Sequence, residues 1–234
     1  MGTLEGGNTD LSGYSPLLFE LQAHLIRIKA LADTSTKAVP KRAQFVEIEK
    51  ISKHALSMLD YALFAIETKQ TALALSPVSA TAAAQDVLQE LWQLAKSYDV
   101  MLELDVTKRL PPIYAHEAAL KGVLHGLVYS AITAQTTEQH RTVTISVQGT
   151  QPGQQRLGVF APGVMFTEKS IARAKSLSGR ARLAAPSELY AGGLGLLVSD
   201  ELSRALQTEL TTIRRHKHSG VGFYVSTSNQ LQLV

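Results

Sequence analysis

The chain has 234 residues, 45% of them hydrophobic and 18% charged, a composition that gives a folded globular protein with room for one large domain or two small ones. Its 23 basic and 20 acidic side chains leave a formal charge of +3, too mild and too dispersed for a nucleic-acid-binding protein, and the one basic cluster, Arg214 to His218, reads as a solvated hairpin. There is no cysteine, hence no disulfide, thiolate metal site or thiol nucleophile; no apolar run reaches the roughly 18 residues of a membrane-spanning helix, so a cytoplasmic chain with no membrane contact is expected.

Residues 1–13 are rich in Gly and Thr, lack the apolar centre of a signal peptide, and read as a flexible start. Over residues 14–32, Leu18, Leu21, Leu25, Ile28 and Leu31 recur in steps of three and four, which predicts an amphipathic helix. Residues 33–40 read as a turn, with Pro40 placed at the start of a second helix. That helix carries Ile48, Ile51, Ala55, Met58, Ala62 and Ile66, widened by Leu59 and Leu63, and is expected to run to about Thr71. Residues 14–75 thus predict a helical hairpin whose apolar stripe is too wide for two helices to cover. A homodimer closing a four-helix bundle is the expectation.

After Pro77 the pattern changes, and residues 78–234 are read as a second domain. Helices are expected over 80–96, 115–134 and 194–206, and strands over 101–106, 142–147, 155–160 and 221–227. The whole chain is therefore α+β: a helical hairpin followed by an α/β sandwich. Residues 166–189, rich in Lys, Arg, Ser and Ala with weak periodicity, suit a lid or an irregular helix. Gly192, Gly193, Leu194 and Gly195 stand at the start of the last predicted helix, where unpaired amides and the helix dipole favour a phosphate. His54, His116 and His125 are scattered without metal-ligand spacing and read as ordinary. No serine sits in a nucleophile elbow, and no paired carboxylates mark a hydrolase.

The order of a helical hairpin, an α/β domain and Gly192-Gly193-Leu194-Gly195-Leu196 resembles the bacterial sensor histidine kinases, whose second domain is a GHKL-type ATPase. The resemblance covers nearly the whole chain. The family's first helix carries a motif close to His-Glu-Leu-Arg-Thr-Pro-Leu, and this sequence reads Phe19-Glu20-Leu21-Gln22-Ala23-His24-Leu25 in the same register. Phe19 thus stands where the resemblance implies a phospho-accepting histidine. His24 cannot replace it, because five steps of about 100° turn it about 140° around the helix. Glu20, retained beside the phosphoacceptor position, reads as a solvated charge. Phe19, Gln22, Ala23 and Ile26 share a flank and form a candidate docking patch for a partner.

The segment from Leu110 to Leu124 is similar to the family's lead-in to its asparagine box. Where the family writes Asn-Leu-Leu-x-Asn-Ala, the chain has Gly126-Leu127-Val128-Tyr129-Ser130-Ala131, so the magnesium-ligating asparagine aligns with Ser130. The adenine-binding aspartate of the family's Asp-x-Gly-x-Gly aligns with Val159, and Gly163 remains of that box. The final glycine box survives at Gly192 to Gly195.

The resemblance therefore implies a degenerate histidine kinase that lacks the phosphoacceptor and binds and modulates a response regulator or a histidine kinase. ATP or ADP would be bound weakly or not at all, with magnesium not expected. If each lost contact costs about 1.5 kcal/mol, binding weakens by roughly two orders of magnitude. Restoring Val159→Asp and Ser130→Asn together would on this reading improve affinity if the backbone pocket is otherwise intact. The alternative is an ATP-binding histidine kinase that phosphorylates another protein in trans.

Overall fold

The computed structural model describes residues 25, 26, 28, 42–69, 71–107, 109–134, 141–162, 164, 168–169, 171–172, 193–215 and 218–228. Among the described residues, the helices with full bounds are α1 (Arg42–Glu67), α2 (Ala80–Ser97), α3 (Glu117–Thr133) and α4 (Gly193–Ala205), and they accompany seven strands. The strands are β1 (Ser76–Val78), β2 (Met101–Val106), β3 (Ile113–Ala115), β4 (Thr142–Gln151), β5 (Gln154–Phe160), β6 (Thr211–Arg215) and β7 (His218–Ser226). The first predicted helix and the predicted lid fall almost wholly outside the described residues.

Five strands form a mixed sheet in the order β2-β4-β5-β7-β6, with β2 parallel to β4 and every other pair antiparallel. One face is apolar by alternation: Val143, Ile145 and Val147, then Leu157 and Val159, then Val221, Phe223 and Val225 are all buried. Helix α3 packs on β4 and β5 and is flanked by α2 and α4. It has almost no polar face, which is the pattern of a helix enclosed on all sides. Ser79 caps α2, its hydroxyl accepting the Ala82 amide at 3.2 Å. The chain leaves α1 through the short β1, which pairs with β3.

The opposite face of the sheet is partly covered by its own side chains, with Tyr224 of β7 left exposed. Ile213 on β6 reaches over Gly158 on β5 and Gly222 on β7, into space that any Cβ at those positions would fill. Farther out, Arg215 on the β6 edge pairs with Asp105 on the opposite edge strand β2 at 2.9 Å, and Asp105 also accepts from Ser146 at 3.2 Å.

Three features differ from the sequence expectations. α1 ends at Glu67 rather than near Thr71, and β1 and β6 had not been anticipated, whereas β3 follows Leu110-Pro111-Pro112 where the resemblance implies a strand. The stripe of α1 is also shared out: Met58, Ala62 and Ala65 are buried in the same core cluster as α3 and α4, while Phe45, Leu56 and Leu63 are exposed. Much of its apolar width is therefore covered by the α/β part of the same chain, across the boundary drawn near residue 77.

Candidate functional site

Of the candidate residues on the first helix, Phe19, Glu20, Gln22 and Ala23 lie outside the described residues, and Ile26 is 60% exposed. Gly163 and Gly192 also lie outside them, whereas Gly193 and Leu194 open α4. The rest of the site is the crossing of α3 and α4.

On α3, Gly122, Gly126 and Ser130 recur every fourth residue and so share one face; on α4, Gly195 and Ser199 do the same. These small residues let the two backbones meet. A Cβ on Gly126 would be driven into the Gly195 carbonyl oxygen and the Ser199 hydroxyl, and one on Gly195 into the Gly126 carbonyl oxygen and the Ser130 hydroxyl. Ser199 donates to the Val123 carbonyl at 2.8 Å, pinning the crossing. Ser130 is fully buried, its hydroxyl held against Gly195. Val159 is fully buried too, flanked in register by Ile145 on β4 and Val221 on β7. The crossing thus brings Gly126, Ser130 and Gly195 together, while Val159 belongs to the sheet's apolar face. Among the described residues, no cluster of three or more His, Asp or Glu side chains could hold a metal ion.

A second cluster was missed from the sequence. His125 on α3 is fully buried, with no hydrogen-bond partner at either ring nitrogen among the described residues. The Tyr61 ring of α1 lies over it at 4.8 Å between centroids, and the Glu90 carboxylate of α2 stands 3.5 Å from its Nε2. Tyr61 Oη donates to that same carboxylate at 3.5 Å. Burial, with the charge of His54 on α1 a second cause, pushes His125 down to about 3. Burial, followed by the Glu90 charge, raises Tyr61 above the usual phenol value. The packing of α1 and α2 on α3 joins these residues, so periodicity carried no signal for the cluster.

No protein-family model matches the chain, and no curated protein sequence does. Solved structures do match. The histidine kinase AdeS of Acinetobacter baumannii superimposes over 90% of this chain and 98% of its own, with a TM-score of 0.57 and 18% identity. Full-length ShkA, in complex with AMPPNP, matches over 82% of this chain at a TM-score of 0.56 and 20% identity. This chain spans 40% of the length of ShkA. The nucleotide-free catalytic domain of the histidine kinase ThkA is covered over 100% of its length by 68% of this chain, with a TM-score of 0.52 and 14% identity. At these identities the likeness is one of fold: the chain has the fold of a histidine kinase catalytic core, its α/β part being the GHKL-type sandwich.

Proposed function

We propose that this chain is a degenerate histidine-kinase-like signalling protein, a homodimer that binds and modulates a response regulator or a histidine kinase rather than passing on phosphate. Phosphoryl transfer to histidine needs an acceptor nitrogen, a bridging magnesium ion and a held nucleotide. At the acceptor position the sequence has Phe19. The observation that carries the reading is the burial of Ser130 against Gly195, because a metal ligand must face the nucleotide. Val159, equally buried, has no polar atom with which to accept the adenine amino group. These two side chains do not fit the roles of metal ligand and adenine anchor.

One observation favours the trans-acting, ATP-binding kinase as a second reading: α4 begins at Gly193, so the glycine box stands at the positive end of a 13-residue helix. Two measurements separate the readings. Incubation with labelled ATP and magnesium is expected to leave no acid-labile label on the chain or on a histidine-containing partner, and calorimetric titration with ATP is expected to show no magnesium-dependent saturation. Label on any histidine overturns the first reading, and binding at or below about 10 μM favours the second.

A further inference from the structure

We propose that α1 is held on the α/β domain by a proton-sensitive latch at His125, so that mild acid releases α1 from α2, α3 and α4 while the sheet stays folded. This goes beyond the function proposed above and is independent of any nucleotide or protein partner.

The latch stands at a junction of three helices. Gly122, one turn before His125 on α3, leaves the room that the Tyr61 ring occupies, since a Cβ there would approach Tyr61 Cδ1 to 2.8 Å. The ring of His125 is thus closed in by α1, with Met58, Ala62 and Ala65 of the same helix buried around the junction. An imidazole with neither nitrogen hydrogen-bonded among the described residues is an unfavourable way to fill such a space, because a buried polar group gives up its water without a replacement. A leucine or methionine would pack there without that cost. What histidine adds is a proton site that exists only when α1 is lifted.

The neighbouring ionisable groups bear on the sign. From α1 come His54 and Tyr61, and from α2 Glu90. On α3 itself Lys121 is engaged by Asp86 and Glu117, each at 2.7 Å. α4 brings Leu202 to the junction, while its Glu201 pairs with Lys69 just after α1. Among the described residues, Glu90 is the carboxylate within reach of a charged ring, and Asp60 of α1 acts on Tyr61 beside it; the Glu90 carboxylate is open to solvent and screened, whereas the ring is not, so burial dominates.

With α1 docked, His125 stays neutral down to about pH 3; with α1 lifted, the exposed ring titrates near its ordinary 6.5. The undocked state therefore binds one more proton between those values. Docking is at full strength above about pH 6.5 and weakens by up to tenfold per pH unit below it.

The test is hydrogen exchange of the full chain, read by mass spectrometry between about pH 7.5 and 5.5 and corrected for intrinsic exchange with an unstructured reference peptide. In the unaltered chain, the opening constant of amides in residues 54–66 is expected to rise about tenfold over that range, with β4 and β5 amides unchanged. In His125→Gln, and in His125→Met should the glutamine variant fail to fold, the same profile is expected to be flat. A flat profile in the unaltered chain overturns the latch whatever the variants do. An equal slope in the variants overturns it as well, and so does a parallel loss of protection in α1 and the sheet, which marks global unfolding.

Discussion

Gly126 and Gly195 meet backbone to backbone where α3 crosses α4, each lying where the other's Cβ would have to be. Replacing Gly126 by alanine drives a methyl group into the Gly195 carbonyl and the Ser199 hydroxyl, two groups with nowhere to retreat. The expected cost is about 1–3 kcal/mol, the range for overpacking a close-packed interior. Urea denaturation of Gly126→Ala should show a lower midpoint with an unchanged slope. Stability equal to that of the unaltered chain would mean that the helices separate cheaply.

Phe45, Leu56 and Leu63 lie on one side of α1, since steps of eleven and seven residues return to nearly the same helical angle, and all three are exposed. An apolar side of this kind is where a homodimer would close. Leu56→Glu with Leu63→Glu is expected to weaken self-association without unfolding the α/β part, because neither side chain belongs to the buried core. Light scattering over a concentration series reads the change. A monomeric mass for the unaltered chain at micromolar concentration would refute the dimer.

The α/β part was legible because its strands alternate and its helices carry apolar stripes; the strand predicted at 101–106 is β2 to the residue. β1 escaped because three residues carry no period and one of them is a proline, and β3, equally short, was legible only through the resemblance; β6, Thr-Thr-Ile-Arg-Arg, is polar outside Ile213. The stripe of α1 was legible, but not its owner: periodicity gives the width of an apolar face and cannot say whether α3 and α4 or a second copy covers it. The same holds for the site. Gly193 and Gly195 were visible as a glycine run, whereas the enclosure of Ser130 follows from a helix crossing, and the meeting of Tyr61, Glu90 and His125 from the packing of α1 and α2 on α3.

Tyr61 separates packing from hydrogen bonding at the α1 junction. Its hydroxyl reaches Glu90 at 3.5 Å in an exposed setting, so Tyr61→Phe is expected to change stability by no more than about 0.5 kcal/mol. Tyr61→Ala removes the ring that covers His125 and lies against Gly122, and is expected to cost about 3 kcal/mol or more. Thermal unfolding of the two variants measures the contrast. Equal and large losses would place the stabilisation in the hydroxyl.

The paired substitution Val159→Asp with Ser130→Asn would rebuild the two boxes on paper, and the burial of both positions reverses the gain expected from the sequence. An aspartate at 159 would place its carboxylate between Ile145 and Val221 with no partner, and an uncompensated buried charge costs about 3–5 kcal/mol. An asparagine at 130 must find room for an amide where a hydroxyl already rests on Gly195, adding about 1–3 kcal/mol of overpacking. Together these approach the whole stability of an ordinary domain, about 5–15 kcal/mol. The double variant is therefore expected to unfold at much lower urea and to gain no binding of a fluorescent ATP analogue at about 0.1 mM. A double variant that keeps its stability and binds the analogue in a magnesium-dependent way would mean that α3 and α4 part to admit nucleotide. The trans-acting kinase would then be the better account.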